Sequence, residues 1–335
     1  MDMMKGIAII LVVVGHCIQY GSGIQVLEER SFFDNTLFKF IYSFHMPLFA
    51  LISGYLFYFS SCHRAFYQIV KRRIEGLCIP AVAWAVIMLG LKFVSSVIFD
   101  DPYIQTLKGG IVYSFTGIWF LWAIFWNSLV ILFVKNFLGD RISVYVIILV
   151  LLILLPSIYN LSTIGYLYPY IIFGYLANKY SLVQHLQKVP KRYIVLVLVV
   201  TVLLYSYMLC DFKVEYYIYT TGISIFHKDF TSQLWIDLYR WLIGFMGCGI
   251  ILYLSKFITQ QRVLSILSLL GVYSLGIYVI SCPLNLYIQK YLTTNFSLNY
   301  FSITLQSVII LVMSVVIAKL IQKNRLLNKF LLGGR

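Results

Sequence analysis

The sequence predicts an all-α fold, a polytopic transmembrane bundle of about ten helices with both termini cytoplasmic. Three observations carry this. The chain of 335 residues is 61% hydrophobic and only 11% charged, with mean hydropathy +0.88, which excludes an ordinary soluble domain. Its apolar runs are about 20 residues long, the length of helix that matches the hydrocarbon core. They are too long, and alternate too weakly, for the strands of an outer-membrane barrel. The charged residues lie between the runs, and the cations favour every second loop.

The expected spans follow in order. The first, 4–20, starts beside Lys5, and the second, 37–59, runs up to the loop carrying Arg64. The third, 76–99, lies between Lys71-Arg72-Arg73 and Asp100-Asp101, and the fourth, 111–137, carries Lys135 in its last turn. The fifth and sixth, 142–159 and 164–178, are short; Pro156 separates them and Pro169 interrupts the sixth. A re-entrant pair is the alternative there, since irregular backbone is tolerated where protein shields it. The seventh, 193–210, leads into the longest outer loop, 211–233, polar and aromatic and placed to roof a site. The last three are 234–254, 266–286 and 301–321. The whole chain, 1–335, reads as one integral membrane domain with no fused soluble domain, no cleavable signal and no internal repeat.

Loop charge sets the orientation. One set of loops holds Arg64, Lys71, Arg72 and Arg73, then Lys135 and Arg141, then Lys179, Lys188, Lys191 and Arg192, then Lys256 and Arg262; the tail adds Lys323, Arg325, Lys329 and Arg335. The alternate loops are poorer in cations and hold Glu28, Glu29, Asp100, Asp101, Asp211, Glu215 and Asp229. The positive-inside bias then puts both termini in the cytoplasm, with the chain crossing a bacterial cell membrane many times. The same bias accounts for the net charge of +14, so nucleic acid is not an expected partner. The six cysteines show no CxxC or Cys/His spacing; they read as packing residues, and neither a metal nor a disulfide is expected.

Two histidines stand inside apolar runs, His16 in KGIAIILVVVGH and His45 in FHMPLFALISGY. An ionisable side chain within the membrane is costly and marks a functional site by default. Lys5 and His16 are eleven residues apart, so they share one helix face, roughly 16 Å from one another along the axis. With the orientation above, His16, His45, Asp237, Arg240, Ser281, Cys282, Trp119 and Trp122 fall in the outer half. Lys5, Lys71, Arg72 and Arg73 fall at the cytoplasmic boundary. One polar set therefore lies outward and one basic set inward.

These motifs resemble bacterial acyltransferase family 3, integral membrane enzymes. The likeness rests on the K-x10-H pattern of the first helix with Asp2 before it, and on FHMPLF..ISGY. It rests also on Lys71-Arg72-Arg73 followed by Ile79-Pro80, and on SLGIYVI from Ser274 to Ile280. It runs from the first span to the ninth. The resemblance implies transfer of an acyl group, usually acetyl from acetyl-CoA, to a sugar hydroxyl of a surface polysaccharide or lipid-linked oligosaccharide. It implies His16 as general base. His45 is the second candidate, orienting the acceptor or acting as base itself, and an acyl-histidine route is also open. Burial disfavours a charged imidazole, which suits a neutral base.

Other residues take expected roles beside the pair. Arg240, fixed by Asp237 one turn away, is a candidate for holding the oxyanion or the acceptor. Lys5, Lys71, Arg72 and Arg73 are candidates for the donor's phosphates. Ser53 and Tyr55 are candidates for hydrogen bonds to substrate, and Trp119 and Trp122 for stacking on a sugar. Each has a structural alternative: an ion pair for Asp237 and Arg240, topology for the basic cluster, close helix packing at Ser53-Gly54, and interfacial packing for the tryptophans. Two features depart from the family: the segment before Asp2 is short, and Ser281 stands where many members have a histidine. The competing class is a repeat-unit polymerase or flippase, which would place Arg-rich chemistry in large outer loops. A small-solute transporter would show matched broken helices, and none is visible.

Overall fold

The computed structural model describes residues 1–21, 31–62, 64–99, 111–112, 115–156, 161–292 and 300–334. Glu28, Glu29, Asp100, Asp101 and Arg335, used in the loop-charge comparison, lie outside them. The described residues form helices and connecting turns, with no strand among them. In chain order the helices are α1 (Asp2–Gly21), α2 (Thr36–Cys62), α3 (Phe66–Arg73), α4 (Ile79–Phe99) and α5 (Trp119–Phe137). Then come α6 (Ile142–Leu154), α7 (Leu161–Lys179), α8 (Leu182–Gln187), α9 (Lys191–Cys210), α10 (Ile218–Thr221) and α11 (Phe230–Leu254). The last four are α12 (Gln261–Val272), α13 (Ser274–Leu292), α14 (Tyr300–Lys323) and α15 (Arg325–Leu332).

Several starts are capped by short polar side chains. Asn35 accepts the Phe38 N–H at 3.0 Å before α2. Asp229 accepts the Ser232 N–H at 2.9 Å before α11. Asn324 does the same for Leu326 and Leu327 before α15. Each satisfies donors that a helix start leaves without an internal partner.

Helices α2 and α7 form the centre, and they approach closely because each has a glycine at the contact. A Cβ on Gly54 would fall 2.0 Å from the Ile171 carbonyl oxygen, and one on Gly174 would fall 2.1 Å from that of Leu51. Small residues let membrane helices gain dispersion where no hydrophobic force drives them together. Phe44 of α2 likewise packs into Gly247 of α11.

Seven helices among the described residues are long and apolar enough to cross a bilayer, or eight if the pair α12 and α13 counts as one span. This is fewer than the ten expected, and three elements account for the difference. Helix α6 has 13 residues, about 20 Å of rise against a hydrocarbon core of about 30 Å. Helix α7 is rich in tyrosine and buried in the bundle, so it does not need a lipid-facing apolar surface. Pro169 does not interrupt it; the helix runs through that residue. The expected ninth span is broken at Tyr273, where α12 and α13 meet at a bend of 75°.

Lys71, Arg72 and Arg73 occupy the last turn of α3 rather than a loop, and one π-helical turn, Ile74–Cys78, joins them to α4. Both chain ends lie at this end of the bundle. The Asp2 carbonyl lies against Gly271, Leu332 reaches Gly276, and Gly333 sits on Gly76 of the π turn.

Candidate active site

A cavity of about 520 Å³ opens in the other half of the bundle. Helix α1 contributes Val12, His16 and Gln19, one stripe at helical spacing. Helix α2 contributes Tyr42, His45 and Met46, α4 contributes Trp84 and Met88, and Trp119 begins α5. Ser162 and Thr163 come from the start of α7, and Tyr278, Val279, Cys282 and Pro283 from α13. The segment from Ile218 to Gly222, with His227, closes over it. The 211–233 loop thus roofs the cavity. No Lys, Arg, Asp or Glu is among the described lining residues.

The imidazole of His45 is buried, and its Nδ1 lies 2.8 Å from the Ile41 carbonyl oxygen. A carbonyl oxygen can only accept, so the neutral ring carries its proton on Nδ1 and keeps its lone pair on Nε2. One turn back, the Tyr42 hydroxyl donates to Gln19 Oε1 at 2.8 Å. The rings of Tyr42 and His45 are 4.6 Å apart. His16 faces the same space from α1.

Of the residues expected to act, His16, His45 and Trp119 line the cavity. Trp122 does not; it packs between Phe115 and Phe125. Arg240 and Asp237 are fully buried in α11, outside the lining. The Arg240 guanidinium donates to the carbonyls of Tyr216 at 2.9 Å, Glu215 at 2.8 Å and Tyr217 at 3.1 Å. It donates also to Gly222 O and Thr221 Oγ1, and to Asp237 Oδ1 at 3.1 Å. It is the fastening of the roof. Ser53 and Tyr55 lie further along α2 and do not reach the cavity; next to them, Gly54 makes the packing contact with α7.

The basic set stays at the end of the bundle that holds the termini. Lys5 pairs with Asp2 at 2.6 Å. Arg73 lies over the Phe57 ring at 4.3 Å, and Lys71 and Arg72 are exposed. Between the two regions stands Trp84, which lines the cavity and donates its indole N–H to the Leu331 carbonyl of α15 at 2.9 Å.

Gln19, Tyr42, Trp84, Tyr219 and Tyr278 reach the cavity without having been singled out from sequence. For two of them the signal was present. Gln19 follows His16 by three residues and Tyr42 precedes His45 by three, the spacing that shares a helix face.

A multi-pass helical membrane protein in which two helix-borne imidazoles, His16 and His45, face one cavity is the class that this geometry defines. The chain belongs to the acyltransferase 3 family, whose acyltransferase-domain profile matches residues 1–322. It is similar to nodulation protein NolL of Mesorhizobium japonicum, 32% identical over 179 residues that cover 52% of this chain and 46% of that protein. It is similar also to nodulation protein NolL of Sinorhizobium fredii, 32% identical over 191 residues, 52% of this chain and 47% of the relative. The chain thus matches these curated relatives over about half of their length. No solved structure matches it.

Proposed function

We propose that the protein is a membrane O-acyltransferase that moves acetyl from acetyl-CoA to a sugar hydroxyl of a surface polysaccharide or lipid-linked oligosaccharide in the bacterial cell membrane. The observation that carries this reading is the cavity shared by His16 and His45, in a chain of the acyltransferase 3 family. Its volume suits a small ligand, and its tyrosines and tryptophans offer faces for a sugar ring. Family membership favours this reading over a polymerase or flippase.

In this reading the donor's phosphates sit at the basic end, where Lys71, Arg72 and Arg73 give charge-assisted hydrogen bonds, with Lys5 nearby. The pantetheine arm extends past Trp84 into the cavity. The acceptor enters beneath the roof held by Arg240. His16 takes the hydroxyl proton as the sugar oxygen attacks the thioester carbonyl carbon. His45 Nε2 accepts a hydrogen bond from the acceptor and orients it. Collapse of the tetrahedral intermediate restores the carbonyl, breaks the C–S bond and returns the proton to the leaving thiolate. The products are the O-acetyl ester and CoA.

The test is deletion of the gene, complemented by wild type or His16→Ala at equal membrane abundance, with acetyl signals read on purified surface glycan by proton NMR. Loss of acetyl on deletion, restored by wild type and not by His16→Ala, is expected. Unchanged acetyl with shortened or unexported glycan would instead indicate the polymerase or flippase class.

A further inference from the structure

Helix α14 has 24 residues, a rise of about 36 Å against a hydrocarbon core of about 30 Å. A span of this length carries its last residue, Lys323, to the level of the headgroups. There Asn324 is extended, and its side chain caps the start of α15. Helix α15 packs back on α14 and α4. Its residues, 325–332, lie beyond the stretch matched by the acyltransferase domain, 1–322.

Three sectors run along α15, at about 100° of turn per residue. Asn328, Leu331 and Leu332 form the bundle-facing one. The Leu331 carbonyl accepts the Trp84 indole N–H at 2.9 Å, and a Cβ added to Gly276 would come within 3.3 Å of Leu332. Gly333, at φ 71°, closes the helix against Gly76. These contacts fix the roll of the helix. Leu326, Leu327 and Phe330 then point away from the bundle, 67%, 47% and 50% exposed. Arg325 and Lys329 fill the sector between, and both are exposed. Among the described residues neither pairs with a carboxylate, nor does Lys323.

An apolar sector beside a cationic one is the pattern of a helix lying in the plane of the interface, its apolar side in the acyl boundary and its cations among the headgroups. The charge selects the lipid: cations next to a span gain from an anionic leaflet.

We propose that α15 docks on the bilayer surface and binds anionic phospholipid. Leu327 and Phe330 enter the acyl boundary, Lys323, Arg325 and Lys329 meet headgroup phosphates, and Leu326 stands at the edge beside Lys329, level with the headgroups. The positive-inside bias expects that leaflet to be the cytoplasmic one. Through Leu331 and Trp84 the docked helix links the membrane surface to the wall of the cavity. This docking is independent of the acyl-transfer reading.

The test uses the full-length protein in a cysteine-free background, with Phe330→Cys carrying a nitrobenzoxadiazole dye. It is placed in nanodiscs of phosphatidylcholine alone or with increasing phosphatidylglycerol. Phosphatidylglycerol is expected to move the emission to the blue, shield the dye from iodide and expose it to a spin label near the top of the acyl chains. Lys329→Gln should raise the phosphatidylglycerol needed for half of this shift by about fivefold, the effect of one charge at the surface. Elution and thermal midpoint check the fold, and the same dye at Leu327→Cys decides if the first variant fails to assemble. Emission that stays aqueous and open to iodide in both lipids overturns the proposal. Equal lipid quenching in both compositions, unchanged by Lys329→Gln, overturns the assignment of anionic phospholipid. A blue emission without lipid quenching, together with cross-linking between copies, means that a second copy covers this face and also overturns it.

Discussion

Arg240 has its guanidinium buried among roof carbonyls, with Asp237 as its ion partner at 3.1 Å. A charge in that setting is held by the number and direction of its hydrogen bonds rather than by the pair alone. Arg240→Met should destabilise the protein by about 3–5 kcal/mol, because it leaves Asp237 buried without its cation. Arg240→Lys should recover only part of the loss, since one ammonium cannot serve acceptors spread around a planar fork. Thermal unfolding in detergent measures both. Residues 218–222 line the cavity, so any Arg240 variant that folds should raise the acceptor KM more than the donor KM. The sequence marked Asp237 and Arg240 as unusual, and their spacing marked them as a pair. It gave no sign that the guanidinium turns toward the loop, because that depends on how 211–229 folds back over α11.

The helix pair α2 and α7 shows what small residues do in this bundle. At Gly174 an added Cβ meets the backbone oxygen of Leu51 at 2.1 Å, and backbone cannot rotate away. Gly174→Ala is therefore expected to cost at least about 1–3 kcal/mol, the range for overpacking a filled interior. Gly90 and Gly249 are helical glycines with nothing within 4 Å of an added Cβ. Alanine at either should be tolerated, with a gain of up to about 1 kcal/mol from helix propensity. Yield and thermal midpoint of the purified variants, compared in one detergent, separate the two classes. The packing role of Ser53-Gly54 was legible because a small residue in an apolar helix often marks close approach. The break between α12 and α13 was not. Residues 261–286 carry no internal proline before Pro283, and the bend comes where α12 lies along α1, with Gly6 and Gly271 each against a carbonyl of the facing helix.

At the scale of the whole molecule, the two chain ends and the basic turn of α3 share one end of the bundle, and the roofed cavity lies toward the other. The positive-inside bias expects the first end to be cytoplasmic. Single cysteines at Phe226 and Leu326, both largely exposed, test this in a cysteine-free background. A membrane-impermeant maleimide should label the first in intact cells and the second only after permeabilisation; the reverse pattern would invert the topology.

By itself the sequence determined the all-helical membrane class, because hydrocarbon admits few ways to satisfy a backbone and long apolar runs select one of them. It determined the family, whose motifs are read along single helices, and it marked both imidazoles, because an ionisable group in an apolar run is conspicuous without any neighbour. Only the tertiary structure decided which polar residues share the cavity. Gln19 and Tyr42 enter it and Arg240 does not, since convergence depends on the approach of α1, α2, α4, α7 and α13, set by packing between residues far apart in the chain. The structure also decided that α6 is a helix of only 13 residues and that α7 is the buried centre. A run of hydrophobic residues records its affinity for an apolar setting, and lipid and protein interior are equally apolar.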